Sequence, residues 1–289
     1  MTGSMPAFPL VDAHVHLYDP AVVRYRWMRD KPVLDSRHGV AEFDRARGAV
    51  DVDGVVWIEV GADPGQHQSE ARWAGELVER NPRIKAMVAH APLEQGAAVE
   101  AELERLLEHR RLKGIRRLLQ DEADDAFCLR PRFVEGVRLL ARYDLSFDIC
   151  VYHRQLGSAL ELVRRCPEVR FVLDHIGKPA IRDALFEPWR THVTALAWLP
   201  NVWCKISGLI TEAGENWTRA QLRPYLDHAL ARFGIERVMF GSDWPVSEQT
   251  HRYADWVDVV DRALAGASED ERCRLFRDTA IAFYRLDRS

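Results

Sequence analysis

The sequence lacks most of the signatures that mark the common classes of enzyme. It has no glycine-rich dinucleotide or phosphate loop, no Gly-x-Ser-x-Gly turn of serine hydrolases and no His-Glu-x-x-His helix of zinc proteases. Its five cysteines are scattered and never form Cys-x-x-Cys, which argues against a disulfide framework and a structural zinc knuckle. The chemistry must therefore come from another set of residues.

Charge and hydropathy exclude further classes of partner. The 289 residues carry a formal net charge of −4 with both signs well mixed, so no basic surface for nucleic acid or anionic membrane is expected. No apolar run approaches the roughly 18 residues of a membrane span, and residues 1–9 lack the pattern of a signal peptide. We therefore expect a cytoplasmic protein with a small-molecule substrate, and both a monomer and a homo-oligomer are compatible with the sequence.

Short apolar runs alternate with amphipathic helical segments along the whole chain. The eight runs that we interpret as strands are residues 10–17, 54–60, 84–91, 114–119, 145–152, 170–176, 201–207 and 237–242. Continuous apolar strands that alternate with helices indicate a parallel sheet, and eight repeats favour a closed (β/α)8 TIM barrel over an open sheet. No linker or change of composition divides the chain, so residues 1–289 are predicted to form a single α/β domain.

Polar residues gather where the apolar runs end. In a barrel these ends form one rim, and the active site lies there. The side chains in question are His14, His16, Glu59, His90, Arg116, His153, Asp174, His175, Lys205 and Asp243. The long connection at residues 18–47 follows the first strand, and such a loop is typical of a lid or wall of the site.

His14 and His16 end the first predicted strand. Because they are two residues apart, both rings are expected to face the barrel axis, where neutral imidazoles suit a divalent metal such as zinc. The alternative is a pair of histidines bonded to backbone carbonyls in the core. Asp243 follows the eighth run, and it could bind a metal, take a proton from water or cap the following loop.

Several motifs resemble those of the amidohydrolase superfamily, in particular its amidohydrolase-2 branch. They are the His14 and His16 pair, Asp-His-x-Gly at residues 174–177 and Gly-Ser-Asp-Trp-Pro at residues 241–245. Residues 113–121 and 201–209 are similar to the L-fuconolactonase and L-rhamnonolactonase group. The resemblance runs from Asp12 to about residue 245, and it implies a (β/α)8 barrel that hydrolyses a lactone ester.

This resemblance suggests a role for each rim residue. A single zinc held by His14, His16, His153 and Asp243 would polarise the carbonyl and acidify a water, while Asp243 moves the proton. His175 would stabilise the oxyanion, although either His153 or His175 could be the third histidine ligand. Without a metal, His14, His16 and His175 would polarise the carbonyl as hydrogen-bond donors.

The fourth strand departs from the pattern of binuclear relatives, in which it supplies a bridging lysine or glutamate. Here that strand ends in Arg116, and Lys113 precedes it. The departure argues against two metals. The prediction is therefore one divalent metal, zinc, or no metal.

Further polar and aromatic residues are candidates for holding the substrate, which we expect to be a small sugar-acid lactone. Guanidinium, ammonium, carboxylate and amide groups can bind hydroxyl or carboxylate groups, and tryptophan offers a flat face to a sugar ring. These candidates are Arg116, Lys205, Glu59, Gln120, Trp27 and Trp244. Glu59 is also an alternative metal ligand, and Trp27, Trp244 and Lys205 could equally be structural.

Two other functions remain open from the sequence. One is a metal-dependent decarboxylase of the same branch that acts on an aromatic or muconate-like acid, which would need arginines near the metal to hold the carboxylate. The other is a barrel that binds a ligand without catalysis, against which the intact His14, His16, His175 and Asp243 argue.

Overall fold

The computed structural model describes residues 5–287, and a single sheet of eight parallel strands forms its centre. The strands are β1 (Leu10–Val15), β2 (Val52–Ile58), β3 (Ile84–Ala89), β4 (Leu112–Ile115), β5 (Ser146–Ile149), β6 (Phe171–Leu173), β7 (Val202–Ile206) and β8 (Val238–Phe240). Each strand pairs with its neighbour in sequence order, and helices lie between them. The prediction of a (β/α)8 TIM barrel is confirmed.

The barrel closes between β1 and the segment that follows β8. The backbone N of Asp243 donates a hydrogen bond to the His14 carbonyl (3.0 Å), and the N of His16 donates to the Trp244 carbonyl (2.8 Å). The four residues that make these two hydrogen bonds are therefore all predicted site residues.

The strands end earlier than the apolar runs that predicted them. The run at residues 145–152 contains β5, which ends at Ile149, and the run at residues 237–242 contains β8, which ends at Phe240. Beyond β6 and β8 the backbone enters the left-handed region, with φ of 53° at His175 and 60° at Asp243. A β ladder cannot continue through this conformation, so the polar residues leave the sheet at its rim.

The helices surround the barrel. They are α1 (Val40–Arg47), α2 (His67–Arg80), α3 (Glu100–Leu106), α4 (Pro131–Arg142), α5 (Leu156–Arg165), α6 (Trp189–Ala197), α7 (Leu209–Ala213), α8 (Arg219–Phe233), α9 (Tyr253–Ala263), α10 (Glu269–Cys273) and α11 (Thr279–Tyr284). The predicted connection at residues 18–47 thus ends in a helix. The Thr218 hydroxyl accepts from Gln221 N and begins α8 as an N-cap.

An apolar plug fills the lower part of the barrel. It is made of small and branched side chains on the strands, capped by aromatic rings of α11: Val11, Ala13, Val56, Ile58, Ala86, Val88, Val172, Met239, Phe283 and Tyr284. A second apolar core packs between the strands and the outer helices. Among the helices of residues 5–287, none is long and apolar enough to cross a membrane.

Candidate active site

A cavity of about 690 Å³ opens at the carboxyl ends of the strands. His16, Arg116, His175 and Asp243 form its floor, and Trp27 from the first long loop lines one wall. The loop therefore forms part of the wall, as its length predicted. Trp27 is held there because its Nε1 donates to the Val60 carbonyl (2.9 Å).

Asp243 Oδ1 lies among three imidazole nitrogens. It is 3.4 Å from His16 Nε2, 3.7 Å from His14 Nε2 and 3.9 Å from His175 Nε2. The Nε2 atoms of His14 and His16 are 3.2 Å apart, so the two rings of β1 meet as their spacing predicted. A carboxylate and three imidazoles thus converge at the base of the cavity.

Two glycines provide the space that this convergence needs. A Cβ at Gly241 would lie 2.8 Å from the Cβ of His14, and a Cβ at Gly208 would lie 2.8 Å from the Cβ of His175. Gly208 also has a φ of +69°, which side chains rarely allow. Only glycine lets the backbone approach both histidines this closely.

A charged layer lies directly beneath His14, between the cavity and the apolar plug. The ammonium of Lys205 donates to Asp148 and lies 3.0 Å from Asp174 Oδ1 and 3.2 Å from His14 Nδ1. The Tyr284 hydroxyl donates to Asp148 from below (3.1 Å). The side chains of the layer are all buried, and they are Lys205, Asp148, Asp174 and Tyr284. The layer therefore holds the ring of His14 from below.

Arg116 crosses the floor of the cavity beside His14. Its Nε donates to Glu59 Oε1 (2.7 Å), and its Nη1 lies 3.3 Å from His14 Nε2 and 3.5 Å from Asp174 Oδ2. Glu59 also accepts from Gly61 N (2.7 Å). The guanidinium is therefore largely occupied by groups of the protein.

The electrostatic environment sets the protonation states of the floor. Burial lowers the pKa of His175 to about 4 despite the opposing charge of Asp243, and burial together with Lys205 lowers the pKa of His14 well below its usual range. Although burial alone would raise the pKa of Asp243, the surrounding His175, His16 and His14 lower it below its ordinary value. At neutral pH the floor therefore holds neutral rings at His14 and His175 and an ionised carboxylate at Asp243.

The donor atoms of the floor suit one divalent metal ion. His14, His16 and Asp243 form one group of suitably close ligand atoms, and His14, Asp174 and His175 form another. His16 Nδ1 lies 3.0 Å from the Ile58 carbonyl, so this nitrogen carries the proton and Nε2 keeps its lone pair for a ligand. Asp174 is already bound by Lys205, which favours the group with Asp243.

The charges around the floor also favour a bound cation. The buried cations there are Arg116 and Lys205, and the buried carboxylates include Asp12, Glu59, Asp148, Asp174 and Asp243. Carboxylates therefore outnumber cations, and a bound metal ion would offset part of this negative charge. The end of β4 contributes a guanidinium, which cannot coordinate a metal, so no bridging ligand for a second ion comes from this strand.

The structure brings most of the predicted site residues to the cavity, and it places others elsewhere. His16, Arg116, Gln120, His175, Asp243 and Trp27 line the cavity, while His14, Glu59 and Lys205 support it from below. His153 begins a short 3-10 turn beyond β5 and belongs to neither ligand group found in residues 5–287, so His175 is the third histidine of the cluster.

Trp244 also departs from its predicted place. Its ring is buried, packs against Phe43 and His38, and donates from Nε1 to Glu248 Oε1 (2.9 Å). It is not among the side chains that line the cavity. The geometry therefore assigns Trp244 to packing behind the rim.

Several cavity residues were missed by the sequence analysis. Among them, Tyr152, Lys178, Thr211 and Glu212 line the upper wall. Tyr152 is the last residue of the run at residues 145–152 but lies beyond β5, and the other three come after the ends of apolar runs, in a turn or a short helix. The only sequence signal was proximity, since Lys178 follows the Asp174-His175 motif by three residues and Thr211 follows β7.

A second cavity of about 800 Å³ lies beside the first and shares Gly61, Ala62 and Leu118 with it. Its lining includes the stacked rings of His67 and His90, whose centroids are 3.5 Å apart. Asp243 does not line it. His90, one of the polar residues predicted at the rim, therefore faces a space outside the histidine and aspartate cluster.

A parallel (β/α)8 barrel with His-x-His on β1 and an aspartate after β8 defines the class of metal-compatible barrel hydrolases and lyases. The family model for amidohydrolases matches residues 11–286, nearly the whole chain. The chain belongs to the amidohydrolase family.

Individual relatives agree with this membership. An L-fucono-1,5-lactonase from Burkholderia multivorans is 34% identical over 96% of this chain and 96% of its own. The crystal structure of an amidohydrolase from the same species, with bound zinc, superimposes with a TM-score of 0.85 at 33% identity, covering 97% of this chain and 100% of that one. A gamma-resorcylate decarboxylase from Rhodococcus jostii is 32% identical over only 42% of this chain and 36% of its own.

Proposed function

We propose that this protein opens the ring of a small sugar-acid lactone by attack of water on the ester carbonyl. The observation that carries the proposal is the position of Asp243 Oδ1 among the Nε2 atoms of His14, His16 and His175 at the floor of a deep cavity. A carboxylate beside neutral imidazoles can hold a water and polarise a carbonyl at one place. The L-fucono-1,5-lactonase relative supports a lactone as the substrate.

Asp243 is the group that moves the proton in this proposal. It is ionised at neutral pH, takes a proton from the attacking water and returns it to the alkoxide that leaves when the ring C–O bond breaks. His175, neutral at this pH, donates a hydrogen bond from Nε2 to the oxyanion, while its Nδ1 is held by the Ser207 hydroxyl (2.9 Å).

The low pKa of Asp243 makes this carboxylate a weak base, so the attacking water must itself be made more acidic. His14, His16 and Asp243 would hold the metal. A zinc ion bound there would lower the pKa of its water to about 7 and polarise the carbonyl. The zinc in the related Burkholderia structure supports this choice of metal. Without a metal, His14 and His175 would polarise the carbonyl as hydrogen-bond donors, whereas the proton of His16 lies on Nδ1 at the Ile58 carbonyl.

The geometry gives less support to a decarboxylase. Such an enzyme needs a free arginine at the metal to hold the carboxylate that it removes. Arg116 already donates to Glu59 and lies beside Asp174, and Arg26 at the cavity mouth is paired with Asp63 (2.9 Å). Because both guanidiniums are paired within the protein, we favour an uncharged lactone over a carboxylic acid.

The first test is Asp243→Asn, which keeps the shape of the side chain and removes its capacity to accept a proton. We expect kcat for lactone hydrolysis to fall at least a hundredfold, in line with the usual contribution of a general base. Asp270→Asn is the control for the change of side chain, because Asp270 is exposed on α10 and does not line the cavity. Retention of more than a tenth of the wild-type rate in Asp243→Asn would overturn the assignment.

The second test concerns the reaction itself. A pH-indicator screen of aldonolactones, including L-fucono-1,5-lactone, is run with and without a chelator and beside metal analysis of the purified protein. We expect proton release from at least one aldonolactone and loss of rate on chelation. Release of carbon dioxide from an aromatic acid, with no lactone hydrolysed, would replace the lactonase by the decarboxylase. Rates unchanged by chelator in metal-free protein would remove zinc from the mechanism.

A further inference from the structure

Lys178 places its ammonium in the upper wall of the cavity. Its Nζ donates to Gln120 Oε1 (2.5 Å) and lies 5.3 Å from the centre of the Tyr152 ring. Within residues 5–287 it forms no ion pair. An ammonium has three N–H donors, so this side chain has donors left for a ligand.

The short helix α7 presents complementary groups to the same cavity. Glu212 lines the wall close enough to interact electrostatically with Lys178, yet the described residues give its carboxylate neither a hydrogen bond nor an ion pair. Thr211 Oγ1, also in the lining, is buried and has no hydrogen-bond partner in the described part of the chain. A buried hydroxyl without a partner is uncommon, because the lost hydration is not compensated.

These groups match the hydrogen-bonding capacity of a polyol. Each hydroxyl of a sugar donates one hydrogen bond and accepts others. Lys178 offers donors only, Glu212 offers acceptors only, and the Thr211 hydroxyl can do both. Adjacent hydroxyls of one ring can therefore satisfy all three side chains, whereas an unsubstituted apolar ring would leave them without partners.

We propose that Lys178, Thr211 and Glu212, together with Gln120, form a hydroxyl-binding subsite that selects polyhydroxylated lactones over unsubstituted ones. This inference rests on the proposed lactone hydrolysis. The floor around Asp243 acts on the ester, and the upper wall recognises the hydroxyls of the ring. The presence of Glu212 beside Lys178 disfavours a carboxylate at this position, because a second negative charge would be repelled by Glu212.

The test compares two six-membered lactones, an aldono-1,5-lactone with ring hydroxyls and δ-valerolactone without them. The variants are Lys178→Met, Glu212→Gln and the isosteric Thr211→Val. For Lys178→Met and Glu212→Gln we expect kcat/KM on the aldonolactone to fall roughly tenfold to a hundredfold, as expected for loss of a hydrogen bond to a charged group. For Thr211→Val the expected fall is roughly threefold to tenfold.

On δ-valerolactone the same variants should lose less than about threefold, because this substrate makes no bonds to the subsite. Lys113→Met serves as the control for removal of a lysine, since Lys113 lies in β4 and does not line the cavity. For Lys113→Met, the ratio of kcat/KM on the aldonolactone to kcat/KM on δ-valerolactone should equal that of the wild type. Thermal unfolding of each variant separates lost recognition from lost folding.

The outcomes separate the subsite from the activity beneath it. Equal losses on both lactones, or no loss on the aldonolactone, would overturn the subsite while leaving the lactonase intact. If the wild-type protein hydrolyses no aldonolactone, both the proposed function and the subsite are overturned. A selective loss on the aldonolactone in the Lys178 and Glu212 variants supports the subsite.

Discussion

Lys205 is a charged side chain with no exposed surface, and its role is set by the carboxylates around it. Its ammonium contacts Asp148 and Asp174 inside the barrel and reaches His14 Nδ1 from below. The sequence analysis assigned it to the substrate or to a structural ion pair, and its burial beneath the floor favours the second. It acts on the site by holding His14.

Replacing Lys205 by Met should therefore destabilise the fold strongly. The change leaves the carboxylates of Asp148 and Asp174 buried without their shared cation, and breaking a buried pair in this way costs about 3–5 kcal/mol. Urea unfolding should show that decrease in the free energy of unfolding, whereas Lys113→Met should change it by less than about 1 kcal/mol. A stable Lys205→Met with only a raised KM would show instead that Lys205 binds substrate.

Glu70 provides a test of pH dependence at a single residue. It is buried in the first turn of α2, where its Oε1 accepts from Val60 N (3.1 Å). Burial and the nearby Glu59 raise its pKa from 4.5 to about 8. The folded protein therefore keeps this carboxyl protonated where the unfolded chain has lost the proton, so its contribution to stability is full below pH 4.5 and is lost as the pH rises to about 8.

Glu70→Gln mimics the protonated carboxyl and removes this titration. We expect the variant and the wild type to melt at similar temperatures at pH 5, and the variant to melt a few degrees higher at pH 9. Glu76→Gln is the control, because Glu76 lies exposed on the same helix. A difference in Tm between the Glu70 variant and the wild type that is the same at both pH values would contradict the raised pKa.

At the scale of elements, the loop after β1 builds one wall of the cavity through Trp27. This side chain is 38% exposed, so its loss should perturb the cavity more than the fold. We expect Trp27→Ala to raise KM for an aldonolactone about fivefold to twentyfold with kcat changed less than about threefold, because the face of the ring contributes binding in both ground and transition states.

Trp198→Ala is the matched control for the loop, since Trp198 is 81% exposed and lies outside the cavity. Steady-state kinetics of the two variants on the same lactone make the comparison. A loss confined to kcat in Trp27→Ala would show that the loop contributes to the chemical step. Equal effects of the two substitutions would mean that Trp27 does not contact the substrate.

The periodicity of the sequence predicted the elements well because it reports burial, which the barrel imposes on every strand. It could not predict where each strand stops. The run at residues 145–152 continues for three residues after β5 ends, so His153 was expected at the rim although it begins a 3-10 turn beyond the strand. Apolar character persists in such turns because the rim is itself packed against helices.

The site was predictable to the extent that its residues sit at strand ends. His14, His16, His175 and Asp243 met this condition, and they converge as expected. Pairings across the barrel leave no trace in local sequence, which explains why the sequence offered Lys205 and Glu59 as candidates for binding substrate and left their other roles open. Residues such as Lys178 and Thr211 reach the cavity from turns, and no periodicity identifies the direction of a side chain in a turn.

In the molecule as a whole, closure of the barrel and assembly of the site depend on the same segment. The backbone of Asp243 and Trp244 completes the ring of strands by bonding to His14 and His16, while the side chain of Asp243 completes the cluster. Above the apolar plug, a charged layer supports the cluster, and the cavity lies above both. The same segment therefore closes the barrel and positions Asp243 beside the histidines, so that the fold itself orders the groups of the proposed site.

This preformed cluster predicts a single metal site per molecule. Equilibrium dialysis of metal-free protein against zinc should give one bound ion per chain, and zinc should raise the Tm because the ion binds the folded state. His16→Ala should abolish both effects, since it removes a ligand of the group with His14 and Asp243. His153→Ala should retain both, because His153 lies outside the ligand groups of residues 5–287. Two bound ions, or loss of zinc in the His153 variant, would show that the metal is held differently.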